Sequence, residues 1–457
     1  MIAKQIKVMS AAMVLSFITG GSAMAGLSAE DAARLGGSEL TPVGAERAGN
    51  AAGTIPEWDG GLTQAPAGYK PGGFLVDPYP GDKPLFTITA SNIGQYKDNL
   101  TPGQIAMFER YPEYTMPVYE TRRSAAYSDE IYQNTKDYSK TATLTKGGNA
   151  VEGRGINAPF PIPASGLEVL WNHTLRYRGL AMERTTVQVP VQENGSFVEN
   201  RLIDRWVFPE ALKGGRDQVE DDNISIYFMQ IMKSPPRLTG NILLVHETLD
   251  QVKTPRKAWR YNAGQRRVRR APQVAYDAPG SGADGLRTTD NYDMYNGAPN
   301  RYDWKLVGKK ELYIPYNSYK LHSPELKYTD IHQKGHINQD LTRYELHRVW
   351  VLEANLKDGE RHIYGKRVMH LDEDTWQASV IDHYDTRGQL WRVAEAHAIQ
   401  YYDHPVPWYT VEVLNDLQSS RYLTTGLTNE EESPYTFNLD LERNYFKPGS
   451  LRRIGKR

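Results

Sequence analysis

Between Arg343 and Gln400 the chain reads RYELHRVWVLEANLKDGERHIYGKRVMHLDEDTWQASVIDHYDTRGQLWRVAEAHAIQ. Lys357-Asp358-Gly359, Asp372-Glu373-Asp374 and Asp385-Thr386-Arg387-Gly388 interrupt it with residues that tolerate turn geometry. The segments between them are rich in Val, Ile, Trp, Tyr and His and have no helical Leu/Ala/Glu periodicity, so they predict four β-strands. Turns this short join only antiparallel neighbours. Such a meander has an inner face to bury, and the rest of the chain must cover it. Its His, Asp and Glu side chains are expected mostly on its outward rim.

The cover is legible upstream. Ser28-Ala29-Glu30-Asp31 starts a short helix with an acidic first turn, and residues 36–81 are dense in Gly, Pro and Ala, as in an extended arm pinned by Trp58 and Tyr69. Thr101-Pro102 is a helix start, Ser128-Asp129-Glu130 another, and Leu167 to Arg178 a third amphipathic segment ended by Gly179. Strands then dominate: Asn194-Gly195 is a hairpin turn, further hairpins surround Pro235-Pro236-Arg237 and Asn262-Ala263-Gly264-Gln265, and Glu311 to Ile314 precedes the meander. Sequential antiparallel strands with segregated helices predict an α+β fold: a large curled antiparallel sheet, an open or incomplete β-barrel, wrapped over helices. The expected segments are a signal peptide (1–25), the arm (26–89), a helical segment packed on the sheet (90–178), the barrel-like region (179–428) and a polar tail that wraps back (429–457).

Lys4 and Lys7, the apolar run Val8 to Ile18 and Ala23-Met24-Ala25 form an export signal with cleavage expected after Ala25. The run is too short to span a bilayer, which takes about 20 residues. Cysteine is absent, which removes disulfides, thiolate metal sites and a lipid-bearing N-terminal Cys. The mature chain is therefore expected to be soluble, periplasmic, not membrane-spanning and not a lipoprotein. With the signal removed, 52 basic face 55 acidic side chains, a balance that gives no reason to expect nucleic acid. Tyr and Trp total 38 against 10 Phe. Rings with polar tips suit surfaces that are apolar on one side and wet on the other.

No catalytic constellation emerges. Gly280-Ser281-Gly282-Ala283-Asp284-Gly285 spells GxGxxG, but Pro279 precedes it and no helix follows, so it reads as a loop. Asp284, Asp290, Asp293 and Asp303 fit no calcium loop, and His332 and His336 lack the helix and glutamate of a zinc motif. There is no GxSxG elbow, and Glu353, Asp374 and Asp382 are only generic candidates for a hydrolase acid and base. No cofactor and no metal are expected. Lys253 to Arg270 carries eight basic residues among 18. It reads either as an anion site (lipid headgroup, sulfate or acidic partner) or as a solvated hairpin whose arginines pair with strand acids.

The strings KAWRYNAGQRRVRRAP, YDWKLVGKKELYIPYN, YELHRVWVLEANLKDGERHIYGKRVMHLDEDTW and YDTRGQLWRV resemble an uncharacterised family of exported proteobacterial proteins, a domain of unknown function described as outer-membrane lipoprotein-sorting-like. The resemblance runs from the WDGGL arm to the tail. It implies a fold similar to the LolA/LolB carriers with an apolar cavity, a Gram-negative periplasm, and a neighbouring outer-membrane protein and RND-type exporter. It supplies no established ligand or catalytic residue. The chain is more than twice the length of LolA and lacks the lipid-bearing Cys of LolB. The expected function is carriage of a lipid or other hydrophobic molecule, with Trp259, Tyr261, Trp350, Trp376 and Trp391 as candidate lining residues and Arg267 and Arg269 as candidate headgroup partners. The alternatives are an envelope interaction scaffold without ligand and a hydrolase of an envelope polymer.

Overall fold

The computed structural model describes residues 26–218 and 223–455, so the expected signal segment 1–25 lies outside the described residues. Sixteen strands form one sheet. They are β1 (Phe86–Thr89), β2 (Thr115–Val118), β3 (Ala181–Val191), β4 (Asn200–Val207), β5 (Ile224–Met232), β6 (Ile242–Thr248), β7 (Lys257–Asn262), β8 (Arg267–Arg270), β9 (Tyr302–Pro315), β10 (Tyr344–Leu356), β11 (Tyr364–Asp372), β12 (Ala378–Asp385), β13 (Leu390–Tyr401), β14 (Val406–Asp416), β15 (Arg421–Leu427) and β16 (Thr436–Phe437). The main path is antiparallel throughout and runs β9-β10-β11-β12-β13-β14-β15-β3-β4-β5-β6-β7-β8. Two meanders thus join edge to edge, with Tyr422 of β15 opposite Val191 of β3. The sheet stays open, ending at β9 and β8. β1 and β2 attach to β10 by the single parallel pair Val118–Tyr344, and β16 lies on the start of β3.

Local chemistry sets the helices, of which the first are α1 (Ala29–Arg34), α2 (Pro102–Arg110), α3 (Asp129–Tyr138) and α4 (Gly166–Leu175). In α2, Thr101 and Gln104 form a reciprocal capping box with Pro102 in the first turn. α4 is capped by Ser165. Its Val169 and Leu170 meet Leu352 of β10, Leu371 of β11, Trp408 of β14 and Trp206 of β4 in one buried cluster. Strands from both meanders converge on this helix, so this is the concave face of the curled sheet, and the loop 271–301 joins it there through Ala283, Leu286, Met294 and Tyr295. The opposite face is covered in patches. The C-terminal tail lays Phe446 and Leu451 over Met229, Leu244 and Tyr261, and α2 lays Met107 and Phe108 over Val349 and Val393. Trp58 and Tyr69 pin the arm, Trp58 through its indole N–H to the Ala125 carbonyl and Tyr69 through its hydroxyl to Asp403.

Two expectations change. The strand expected at Glu311 to Ile314 spans all of β9, whose first half alternates the inward Tyr302, Trp304 and Leu306 with the exposed Asp303, Lys305 and Val307. The meander's charged groups do not form an outward rim: Glu345, Asp372, Asp382, His383, Glu395 and His397 are buried, because both faces of the meander are covered. The Thr101 hydroxyl donates to Asp382 (3.0 Å), and Gln104 and Tyr344 donate to Glu395 (3.0 and 2.8 Å). Burial pushes the Asp382 carboxyl up to about 7.

Candidate ligand-binding site

On the concave side of β3–β8, residues directly opposite one another make two rows, since paired residues share a face. One row is polar at its ends: Arg184, Asp204, Gln230, Leu243, Arg260 and Arg269. The next is apolar: Met182, Trp206, Phe228, Val245 and Ala258. Over these rows the loop 274–296 does not pack down completely, and a cavity remains. Its inner compartment, about 80 Å3, has Trp206, Ile226, Phe228, Leu243 and Val245 as floor and Arg178, Arg256, Arg260, Arg287, Glu247 and Asp293 among its walls. An outer compartment of about 370 Å3 shares Gln230, Leu243, Arg260 and the loop residues Pro279–Ser281 with it, and is bordered by Tyr261 and Asn262. Ile226, Phe228 and Leu243 are only half-buried, whereas their outward neighbours Tyr227, Met229 and Leu244 are sealed under the tail.

The glycine loop roofs the cavity. Pro279 bridges Thr288, and the Gly280 N–H donates to the Arg287 carbonyl (2.8 Å), closing a tight loop in which Gly282 and Gly285 have positive φ. Gln188 and Asn200 hold it to β3 and β4 by donating to the carbonyls of Ser281 (2.9 Å) and Gly282 (3.0 Å). A Cβ on Gly280 would come within 3.2 Å of the Arg287 guanidinium, so glycine leaves room for that group.

Most charges around the cavity are paired. Arg176 and Arg178 both meet Asp293 (2.6 and 2.8 Å), Trp408 donates its indole N–H to the same carboxylate (2.9 Å), and Arg256 meets Glu247 (2.7 Å). Burial acts to raise the Asp293 carboxyl, but the two arginines override it and hold it at about 2. Glu412 goes the other way: burial, reinforced by Asp293, pushes it up to about 8. Arg184 pairs with Asp204 (3.2 Å) and lies against the rings of Trp206, Trp408 and Tyr435. Arg287 and Arg260 have no carboxylate at ion-pair distance among the described residues.

The residues singled out from sequence are dispersed. Tyr261 borders the outer compartment. Trp259, two residues earlier on β7, meets His246 edge to face at 4.7 Å on the tail side. Trp376 is 1% exposed and donates to the Val43 carbonyl, with Trp350 stacked on it at 5.9 Å. Trp391 bonds Asp416 at the far meander. Arg269 stands opposite Arg260 at the concave edge, and Arg267 opposite Asn262 on the same face. Of the hairpin's arginines, Arg256 has a strand acid as partner and Arg270 lies over Trp259. Sequence reasoning named none of Trp206, Phe228, Leu243 and Arg287, and reached Arg260 only as part of the basic stretch Lys253 to Arg270. Strand alternation would separate Arg260 from Trp259, but nothing in the sequence says which face is concave.

The catalytic and metal candidates are engaged elsewhere. Asp290 meets Arg367 (2.7 Å) and His362 (3.0 Å), Asp284 meets Arg421, and Asp303 lies near Lys357. His332 and His336 bond the carbonyls of Tyr328 and Ile337. His347, Asp372 and Asp374 present ligand atoms within 4.8 Å of one another. Each already has a protein partner: Glu345 for His347, Thr375 for Asp372 and Arg123 for Asp374. Glu353 pairs with Lys366.

An open antiparallel sheet curled over its own helices, with a cavity that has an apolar floor and guanidinium groups in its walls, is the class of protein defined here. The chain belongs to the family described as protein of unknown function DUF1329, whose profile matches residues 87–452. It is 58% identical over 435 residues to an uncharacterised protein of Pseudomonas aeruginosa, covering 95% of each chain. Solved structures similar to it include a DUF1329 family protein of Desulfovibrio piger (13% identity, 60% of this chain and 92% of that one, TM-score 0.42) and a LolA superfamily protein of Nitrosomonas europaea (11%, 62% and 98%, TM-score 0.37). A Vibrio parahaemolyticus domain provisionally described as an outer-membrane lipoprotein-sorting protein is similar at 16% identity (60% and 92%, TM-score 0.41).

Proposed function

We propose that the protein is a periplasmic carrier or accessory protein that holds a lipid or other hydrophobic molecule between β4–β7 and the loop 274–296. The observation that carries this reading is the half-buried apolar floor of Ile226, Phe228 and Leu243, which faces a cavity roofed by the glycine loop. Apolar burial contributes roughly 25 cal/mol per Å2, so an acyl chain laid on this floor needs no covalent or metal chemistry to bind. The basic, apolar and small-residue pattern of residues 1–25 supports export. Work beside an outer-membrane protein and an RND-type exporter is the finer part of the reading and rests on the family resemblance. No catalytic role is assigned.

The test is organic extraction and mass spectrometry of protein purified from its own periplasm. A stoichiometric lipid or apolar metabolite is expected. Protein that emerges empty, and that binds no added amphiphile, contradicts the reading. A scaffold role without cargo is favoured by one observation: α4 and the loop fill the concave face over β10–β14. It is supported if the empty protein retains an envelope partner in pull-down.

A further inference from the structure

Deepening the carrier reading, on which it rests, we infer that Arg287 and Arg260 receive the anionic head of the carried amphiphile, a phosphate or carboxylate, while its chain lies on the apolar floor. Arg287 is 6% exposed, and its Nε has no partner among the described residues. One Nη donates to the neutral Gln188 carbonyl (3.3 Å), and the guanidinium lies over Tyr292 at 5.6 Å. A buried cation without an anion is costly, and a guanidinium keeps a planar fork of donors suited to an oxyanion.

Charge accounting points the same way. Four arginines and two carboxylates line the inner compartment. Arg178 and Arg256 are taken by Asp293 and Glu247. Arg287 and Arg260 remain, with Arg269 beside Arg260 at the mouth. Glu412 is a weak counter-charge, since burial and Asp293 push its carboxyl up to about 8 although Arg287 acts to lower it. Gly280 is the complement on the roof, because a side chain there would crowd the Arg287 guanidinium. The GxGxxG string thus serves to seat an arginine rather than to wrap a dinucleotide.

Calorimetric titration of the full mature chain with dodecyl phosphate, dodecanoate, dodecyl maltoside and inorganic phosphate tests this. Both anionic amphiphiles are expected to bind at least about tenfold tighter than the maltoside, the scale of one charge-assisted contact set. Arg287→Gln is expected to bring that ratio close to one. The exposed Arg260→Gln, which removes no core contact, is expected to lower it partway. Thermal melts of both variants separate loss of the site from loss of fold. Equal binding of charged and uncharged amphiphiles by the wild type overturns the headgroup inference and leaves the carrier reading standing. So does an anion preference that survives both variants. Binding of inorganic phosphate alone overturns the amphiphile and marks a free-anion site, and binding of no probe overturns both readings.

Discussion

Glu412 offers a quantitative check on the charge balance behind the cavity. It sits on β14, 1% exposed, and accepts a hydrogen bond from the Met294 N–H, while its Oε1 has no partner. Burial, with Asp293 adding to it, lifts its carboxyl from 4.5 to about 8. The native state therefore keeps a proton that the unfolded chain has released. Wherever the native state binds more protons, stability falls as pH rises, so this group's contribution is full at acidic pH and is lost as pH climbs through about 8. Between pH 6 and 9 the loss is on the order of 2.5 kcal/mol from this one carboxyl. Glu412→Gln keeps the shape and the acceptor for Met294 but cannot ionise. Urea denaturation of both proteins at pH 6 and pH 9 reads the difference. The variant's advantage over the wild type is expected to widen by roughly that amount between pH 6 and pH 9. Parallel stability profiles for the two proteins would refute a protonated Glu412.

Other perturbations test the packing. Gly103→Ala puts a Cβ 2.1 Å from the Asp382 carboxylate and 2.7 Å from Val393, so α2 must move off the meander; a loss of about 1–3 kcal/mol is expected in chemical denaturation. Asp290→Asn leaves the fully buried Arg367 without its anion and is expected to cost about 3–5 kcal/mol, read as a lowered denaturant midpoint. Trp376→Ala removes a core indole bonded to the Val43 carbonyl; a loss of about 3–5 kcal/mol is expected, with faster proteolysis of the arm near Val43.

The sequence carried the sheet well and the site poorly, for identifiable reasons. The turns at Gly359 and Gly388 and the strand residues between them define β10–β13 without any tertiary information. Asn194-Gly195 likewise marks the β3–β4 hairpin, and Thr101-Pro102 marks α2. The loop 271–301 has no periodicity, so nothing local signals that Leu286, Met294 and Tyr295 end in the core. Its ion pairs are long-range as well: Arg176 finds Asp293, and Arg367 finds Asp290, across two separate elements. Choosing aromatic residues by type rather than by face put Trp259 and Tyr261 forward, while their neighbour Arg260 points into the concavity. On a strand a single position decides which side a residue serves.

The central claim is that the apolar floor beneath the glycine loop holds a hydrophobic molecule. Leu243→Trp fills that floor from the start of β6 without altering a charged group. Mass spectrometry of organic extracts from wild-type and variant protein, purified in parallel from the periplasm and matched for thermal stability, measures occupancy directly. The account predicts a stoichiometric apolar ligand in the wild type and at least a tenfold depletion in the variant, which for a nearly full wild-type site means roughly hundredfold weaker binding, about 2.7 kcal/mol. Equal ligand in both proteins would place the cargo elsewhere, and no ligand in the wild type would contradict the claim itself.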